Sequence, residues 1–365
     1  MKTKSSFLFF LLLLLLTGCP NDPEDDDDDD LIDEVEHYYK INDIVHSPAL
    51  EDNLLGDNPD RSVMVYLPPD YYEDTTVHFP VIYLLHGYYC SDETWYTGKF
   101  PTQEFAYIGM NIQNIMDELI KAGAVQSMMV VTPSAYNYFK GSWYTNSTVT
   151  GNWEDFIAED VVKYVDDHYR TIPEPGGRGI AGHSMGGYGA MKLAMKHPDV
   201  FSSVYAHSAG RLDMETWLEL DKDSILKAID IQTWDPKSIS PYLMVIISEL
   251  SVFAPNPDSP PFFGDFPLTP SGEKVDAIWQ KYMAHDPLTM IPLYENNLRQ
   301  LRAIAFDNGS QEEDNVIRKN FSVALALQGI EHQFETFEGN HSNHTVEQMK
   351  LKIIPFFSEN LDHAR

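Results

Sequence analysis

Cysteine is nearly missing from this chain: among 365 residues only Cys19 and Cys90 occur. Two thiols are too few for a disulfide scaffold or for a zinc site built on cysteine. Positive charge is scarce as well. Lys and Arg number 25 against 56 Asp and Glu, a formal charge of −31, and most of that excess lies beyond residue 36. Such a surface repels phosphate backbones, which argues against nucleic acid as a partner and favours neutral ones. The longest apolar run, Phe7 to Leu16, is shorter than the roughly 20 residues that span a bilayer. No period of about 20 to 50 residues repeats, which excludes a solenoid or propeller.

The short apolar run has a use of its own. Lys2 and Lys4 precede it and Leu16-Thr17-Gly18-Cys19 follows it, the order of a secretory signal. The last four residues resemble a bacterial lipobox, so residues 1–18 are expected to be a lipoprotein signal peptide and Cys19 the lipidated first residue. In residues 19–36 the run Asp25 to Asp30 cannot bury apolar surface and repels itself, giving an acidic tether. It lacks the Gly turn and spaced ligands of a calcium loop. Acidic residues just after a lipidated Cys resemble a tag for the outer face of the outer membrane. The expected location is therefore the bacterial cell envelope, anchored to that membrane. Acylation of Cys19 would leave Cys90 unpaired, so no disulfide is expected.

Residues 37–365 have the length of one large domain. Short apolar runs near 61–67, 79–85, 128–133, 178–181, 201–207, 302–306 and 332–337 read as strands. Apolar residues at three-to-four spacing mark helices over 111–122, 153–169, 185–197, 314–328 and 345–361. That alternation predicts an α/β domain with a mostly parallel central sheet flanked by helices. Residues 211–300 break the rhythm around a Pro-rich centre, Ala254 to Pro261. An excursion of that size is usually functional, and it is expected to form a lid or pocket wall.

The sharpest motif is Gly182-His183-Ser184-Met185-Gly186-Gly187, after the strand Arg178-Gly179-Ile180-Ala181 and before a helix from Tyr188 to His197. A Ser on a tight strand-to-helix turn needs small residues two before and two after it, because the strained backbone otherwise clashes. The turn exposes the hydroxyl, and the helix N-terminus favours negative charge developing beside it. Ser184 is thus the candidate nucleophile, with the N–H of Met185 as one oxyanion donor. A second donor is expected in Leu84-Leu85-His86-Gly87-Tyr88-Tyr89-Cys90, at the N–H of Tyr88. His86 precedes the nucleophile and is expected to hold that loop.

In this architecture an acid and then a His follow the Ser. Of the later histidines, His341 sits in the Gly-bearing loop Glu338-Gly339-Asn340-His341-Ser342 after a strand, where an imidazole can swing over the sheet edge. It is the expected general base, with His344 second. The acid belongs to the loop after Ala303 to Phe306, where Asp307, Glu312, Glu313 and Asp314 compete.

Pro80 to Gly87, Trp153-Glu154-Asp155-Phe156 with Tyr169-Arg170-Thr171, Gly182 to Gly187, Asp307-x-Gly309 and Gly339-x-His341 together resemble the esterase D and feruloyl esterase family. Its relatives include S-formylglutathione hydrolases, acetylxylan esterases and mycolyltransferases. The resemblance spans roughly 40–360 and implies an α/β-hydrolase fold, a Ser nucleophile at Ser184, a His at His341 and oxyanion donors at Tyr88 and Met185. The family acid usually lies five residues after the Asp of Asp-x-Gly, which is Glu312 here. A loop shift would make it Asp314. The commoner family residue is Asp, and mycolyltransferases use Glu.

The implied activity is ester hydrolysis through an acyl-enzyme without metal or organic cofactor, on feruloyl or acetyl esters of plant polysaccharide. The substrate is a small or polysaccharide-linked ester. Tyr88, Tyr89, Trp95, Tyr136, Tyr138, Trp143 and Tyr144 follow strand ends, where they are placed to stack on a sugar or cinnamoyl ring. Competing readings are an acyltransferase of the mycolyltransferase type and a non-catalytic surface carbohydrate binder.

Overall fold

A computed structural model describes residues 39–102, 104, 106–231 and 238–364. The signal peptide, Cys19 and the acidic tether expected from the sequence lie outside the described residues.

Ten strands are present among them: β1 (Lys40–His46), β2 (Asp60–Tyr66), β3 (Val81–Leu85), β4 (Met129–Pro133), β5 (Asn146–Ser147), β6 (Gly151–Asn152), β7 (Arg178–His183), β8 (Ser203–His207), β9 (Ala303–Gly309) and β10 (Gln333–Phe337). Eight form one sheet in the order β1-β2-β4-β3-β7-β8-β9-β10, and β5 and β6 pair as a small hairpin. β2 runs antiparallel to both β1 and β4, and the pairs from β4 to β10 are parallel. This is the mostly parallel sheet of an α/β-hydrolase.

The central strands are buried from end to end because both faces are covered. Every residue of β3, β4, β7 and β8 is buried, the pattern of parallel strands between helical layers. β1 is the sheet edge, with exposed positions alternating along it. Its polar sequence, Lys40-Ile41-Asn42-Asp43-Ile44-Val45-His46, hides it from an apolar-run reading, and the sequence analysis missed it.

Helices pack on both faces. Met185–Lys196 follows β7 and is buried over nearly its whole length. Ile112–Lys121 begins at Asn111, whose side chain accepts the N–H of Asn114. The helices expected over 153–169 and 345–361 each contain a π-helical turn, at Phe156–Val161 and Met349–Ile353. In the insertion, Met214–Ile229 is capped by Asp213, and Pro241–Phe253 by Ser240 with Pro at its first turn. Trp217, Ile247, Leu250, Phe253 and Trp279 join the same apolar core as β3 and β7. The insertion is therefore part of the packed body.

Register brings the site together. Leu85 pairs with Gly182, His183 with His207, His207 with Asp307, and Gly309 with Phe337. The parallel strands thus end along one line, and the loops after β3, β7, β8, β9 and β10 emerge at one edge, where such sheets hold ligands.

Candidate active site

Ser184 stands at the turn between β7 and its helix with φ +58° and ψ −116°. That region costs a non-glycine residue on the order of 1–3 kcal/mol and persists only where the surroundings impose it. Here three backbone hydrogen bonds do so: Ser184 N–H donates to His207 C=O (3.0 Å), and Ser184 C=O accepts from Tyr188 (3.0 Å) and Gly210 (3.2 Å). The flanking glycines are forced by packing. A Cβ at Gly182 would stand 2.3 Å from the carbonyl of Gly186, and one at Gly186 would stand 2.2 Å from the Leu85 oxygen.

Ser184 and His341 both line two adjoining cavities. The larger, about 550 Å³, is walled by Tyr88, Trp143, Trp217, Leu220, Tyr242 and Val245, with Arg211 and Asp221 as its charged groups beside the Glu312 loop. The smaller, about 210 Å³, is bounded by Cys90, Phe100, Tyr107 and His183. Arg211, Trp217, Leu220, Asp221, Tyr242 and Val245 of this lining belong to the insertion.

His341 Nδ1 lies 2.8 Å from Glu312 Oε2. A carboxylate there only accepts, so Nδ1 carries the proton and Nε2 keeps its lone pair. Glu312 is 6 % exposed and four donors converge on it. Gly309 N–H (2.7 Å) and Ser208 Oγ (2.8 Å) reach Oε1, while Arg318 Nη2 (2.8 Å) joins His341 at Oε2. Burial opposes its charge, but the His341 hydrogen bond and the Arg318 guanidinium outweigh burial and hold the carboxyl well below the usual range.

Glu313 and Asp314 line the same cavity, and the contacts of the other acid candidates differ from those of Glu312. Asp314 pairs with Arg318 Nη1 at 2.6 Å. Asp307, fully buried, accepts from His207 Nδ1 (2.7 Å), Tyr205 Oη (3.0 Å) and the N–H of Ser208. It braces β8 against β9. His344 hydrogen-bonds Glu347, and His332 contacts Ser322 and the Ile330 carbonyl.

His86 holds the loop after β3: its Nδ1 donates to Gly87 C=O (2.8 Å) and its Nε2 accepts from Ala135 N–H (2.8 Å). Burial lowers its pKa to about 4, keeping it neutral. In the same loop the Tyr88 hydroxyl lies within hydrogen-bonding range of the Phe139 and Met244 carbonyls, which share its one hydrogen, fixing the side chain of the residue whose N–H was singled out. Met185 is the first residue of its helix, where an N–H has no acceptor within the helix.

The aromatic residues divide. Tyr88 and Trp143 line the larger cavity, Tyr136 and Tyr138 line a separate one of about 470 Å³ with Arg61, Asn137 and Lys140, and Trp95 and Tyr144 are fully buried core. Among the residues of the site that were not anticipated are Arg318 and His183. Arg318 sits inside an ordinary amphipathic helix, Asn315–Leu327, and gives no local signal. His183 occupies the unspecified position of Gly-x-Ser, and its identity was a signal left unused.

A sheet of this order carrying a serine on a strained strand-to-helix turn, with an imidazole and a carboxylate delivered by the following loops, defines an α/β-hydrolase. The Esterase family model matches residues 57–351, and the chain belongs to that family. Two esterases from strains of Mycobacterium tuberculosis are 32% identical over 160 residues, which is 43% of this chain and 30% of theirs. The match thus spans under a third of the length of those relatives.

Among solved structures, a ferulic acid esterase superposes with a TM-score of 0.60 at 20% identity, covering 88% of this chain and 98% of its own. An S-formylglutathione hydrolase of Staphylococcus aureus gives 0.57 at 19% identity, covering 88% and 100%. A fluorophosphonate-binding serine hydrolase of the same organism gives 0.57 at 21%, covering 87% and 98%. At these identities the likeness speaks for the fold.

Proposed function

We propose that this chain is a serine carboxylesterase working through an acyl-enzyme. His341 Nε2 takes the proton of Ser184 as its Oγ attacks the ester carbonyl, and Glu312 orients the imidazole and stabilises the imidazolium. The N–H groups of Tyr88 and Met185 receive the oxyanion. The alcohol leaves with the proton held by His341, and water then repeats the sequence to free the acid. The observation that carries this reading is the 2.8 Å contact between His341 Nδ1 and Glu312 Oε2, reached by two loops that share a cavity with the strained Ser184.

The substrate we assign is an ester decorating plant polysaccharide, feruloyl before acetyl. Its support is the larger cavity, whose aromatic walls Tyr88, Trp143, Trp217 and Tyr242 suit a planar ring better than a bare acetyl group. Hydrolysis of 4-nitrophenyl acetate, 4-nitrophenyl butyrate and methyl ferulate by the protein and its Ser184→Ala variant tests both parts. Ser184-dependent turnover strongest on ferulate is expected. Activity untouched in Ser184→Ala would overturn the mechanism, and turnover of the acetate alone would overturn the substrate.

Anchoring through Cys19 to the outer membrane is a separate proposal, resting on the sequence of residues 1–36. Its test is palmitate labelling of the protein and of Cys19→Ser in a bacterial host, with label expected only in the first.

A further inference from the structure

His341 rides on a loop and its side chain is 47 % exposed, yet a general base must stay within hydrogen-bonding reach of the hydroxyl it serves. Glu312 fixes the ring from one side. The backbone that carries the ring is fixed by something else. His183 Nε2 lies 2.6 Å from the carbonyl oxygen of His341, and His183 Nδ1 lies 2.8 Å from the hydroxyl of Tyr107.

The proton positions follow from chemistry. A carbonyl only accepts, so Nε2 carries the hydrogen. His183 is buried, and burial, followed by repulsion between its charged form and the neighbouring His341 and His207 rings, pushes its pKa well below the ordinary value. The ring is therefore neutral, Nδ1 is bare, and the Tyr107 hydroxyl must donate to it. The Tyr107 oxygen in turn lies 3.7 Å from Cys90 Sγ, within range of a weak thiol donor. The imidazoles of His183 and His341 also pack together, ring centres 4.7 Å apart.

We propose that His183 is a positioning residue for the reaction: locked by Tyr107 in the tautomer that donates from Nε2, it pins the His341 backbone at a fixed height over Ser184. This rests on the catalytic reading above. Because His183 immediately precedes Ser184 and ends β7, the nucleophile and the anchor of its base are adjacent residues, one at the strand end and the other on the turn that follows it. Motion of the His341 loop relative to the sheet then strains a partly buried hydrogen bond. A 1 Å misplacement of a reacting group is worth up to about 100-fold in rate.

The experiment measures kcat and KM for 4-nitrophenyl acetate, with thermal melts, for the full chain and its His183→Leu, His183→Gln and Tyr107→Phe variants. Leu fills the volume without a donor, whereas Gln places an N–H near the position of Nε2. Expected are a loss in kcat of roughly 10- to 100-fold for His183→Leu with KM within twofold, recovery to within a few-fold in His183→Gln, and an intermediate loss in Tyr107→Phe. Wild-type kcat in His183→Leu, or equal losses in the Leu and Gln variants at equal melting temperature, would overturn the proposal. Should His183→Leu not fold, Gln above Tyr107→Phe in kcat supports it and the reverse order refutes it. Ser184→Ala assayed alongside separates the two readings: activity untouched there defeats the catalytic assignment, while a Ser184→Ala reduced by orders of magnitude with an indifferent His183 defeats only the anchor.

Discussion

Replacing Glu312 by Gln changes one atom and reverses the logic of the pocket around it. Four donors point at the carboxylate: His341 Nδ1, Arg318 Nη2, Gly309 N–H and Ser208 Oγ. An amide has one acceptor oxygen and a donating NH₂, so the donors at one of the two oxygens must face hydrogens. If the amide oxygen stays with Gly309 and Ser208, His341 meets an NH₂ and flips its tautomer, and Nε2 then carries the proton it should receive.

A wrong tautomer of this kind in serine proteases lowers kcat by about 10⁴, and removal of the acid there costs a comparable factor. A fall of 10³- to 10⁴-fold, roughly 4 to 5.5 kcal/mol in the barrier, is expected here. Arg318, with no side-chain exposure, also loses one of its two carboxylates and keeps Asp314. Removing one partner of a buried pair costs about 3–5 kcal/mol, and the remaining partner argues for the lower end. Steady-state kcat on 4-nitrophenyl acetate and a thermal melt read the two effects. A Glu312→Gln protein that melts several degrees lower yet keeps wild-type kcat would show that the carboxylate only supports the fold. Wild-type activity in Glu312→Gln beside an inactive Asp314→Asn would move the acid role to Asp314.

Gly186→Ala should yield little folded protein, because its Cβ would lie 2.2 Å from a backbone oxygen in β3 that cannot step aside, an overpacking cost of about 3 kcal/mol or more. Gly210→Ala is the control: the nearest atom to its Cβ is 3.9 Å away, and its soluble yield and melting temperature should match the wild type. Equal yields of the two variants would refute the packing argument. Glu249, buried against Arg211 and sharing that guanidinium with Asp221, is pushed up by burial to about 8 from 4.5. The folded state then holds a proton that the unfolded state has lost between those values, so this group's contribution to stability declines as pH rises from about 4.5 to 8. Glu249→Gln should flatten that decline in melts at about pH 5 and pH 8, and an unchanged slope would contradict the assignment.

The sequence showed most where chemistry and chain geometry coincide. The strained turn at Ser184 was legible because only glycine fits at 182 and 186 between β7, β3 and the helix, so the constraint is written as residue types. The buried strands were legible because coverage on both faces demands unbroken apolar runs. β1 was not, since an edge strand with alternating exposure tolerates Asn42, Asp43 and His46. The π-helical turns at Phe156–Val161 and Met349–Ile353 left no mark, since an inserted residue alters the pitch while keeping an apolar face. Among the acids the choice lay beyond sequence. Glu312 and Asp314 both neighbour Arg318, and only the fold decides that Nη2 takes Glu312 while Nη1 takes Asp314.

Arg318 and His183 show why a site is harder to read than its motif. Both are buried polar groups whose partners lie on other elements: Arg318 reaches Glu312 and the Ser208 carbonyl, and His183 reaches Tyr107 and the His341 carbonyl. A buried donor left unpaired costs about 1–3 kcal/mol, so each must find its acceptor in the folded chain, and in doing so each fixes a loop. The proposed base, His341, is half exposed and stands where loops are ordinarily mobile. Its precision therefore has to come from beneath, from Glu312 at the ring and His183 at the backbone. Loosening either anchor should damage kcat before it damages binding, because the cavity walls at Trp143, Trp217 and Tyr242 belong to segments that neither anchor holds.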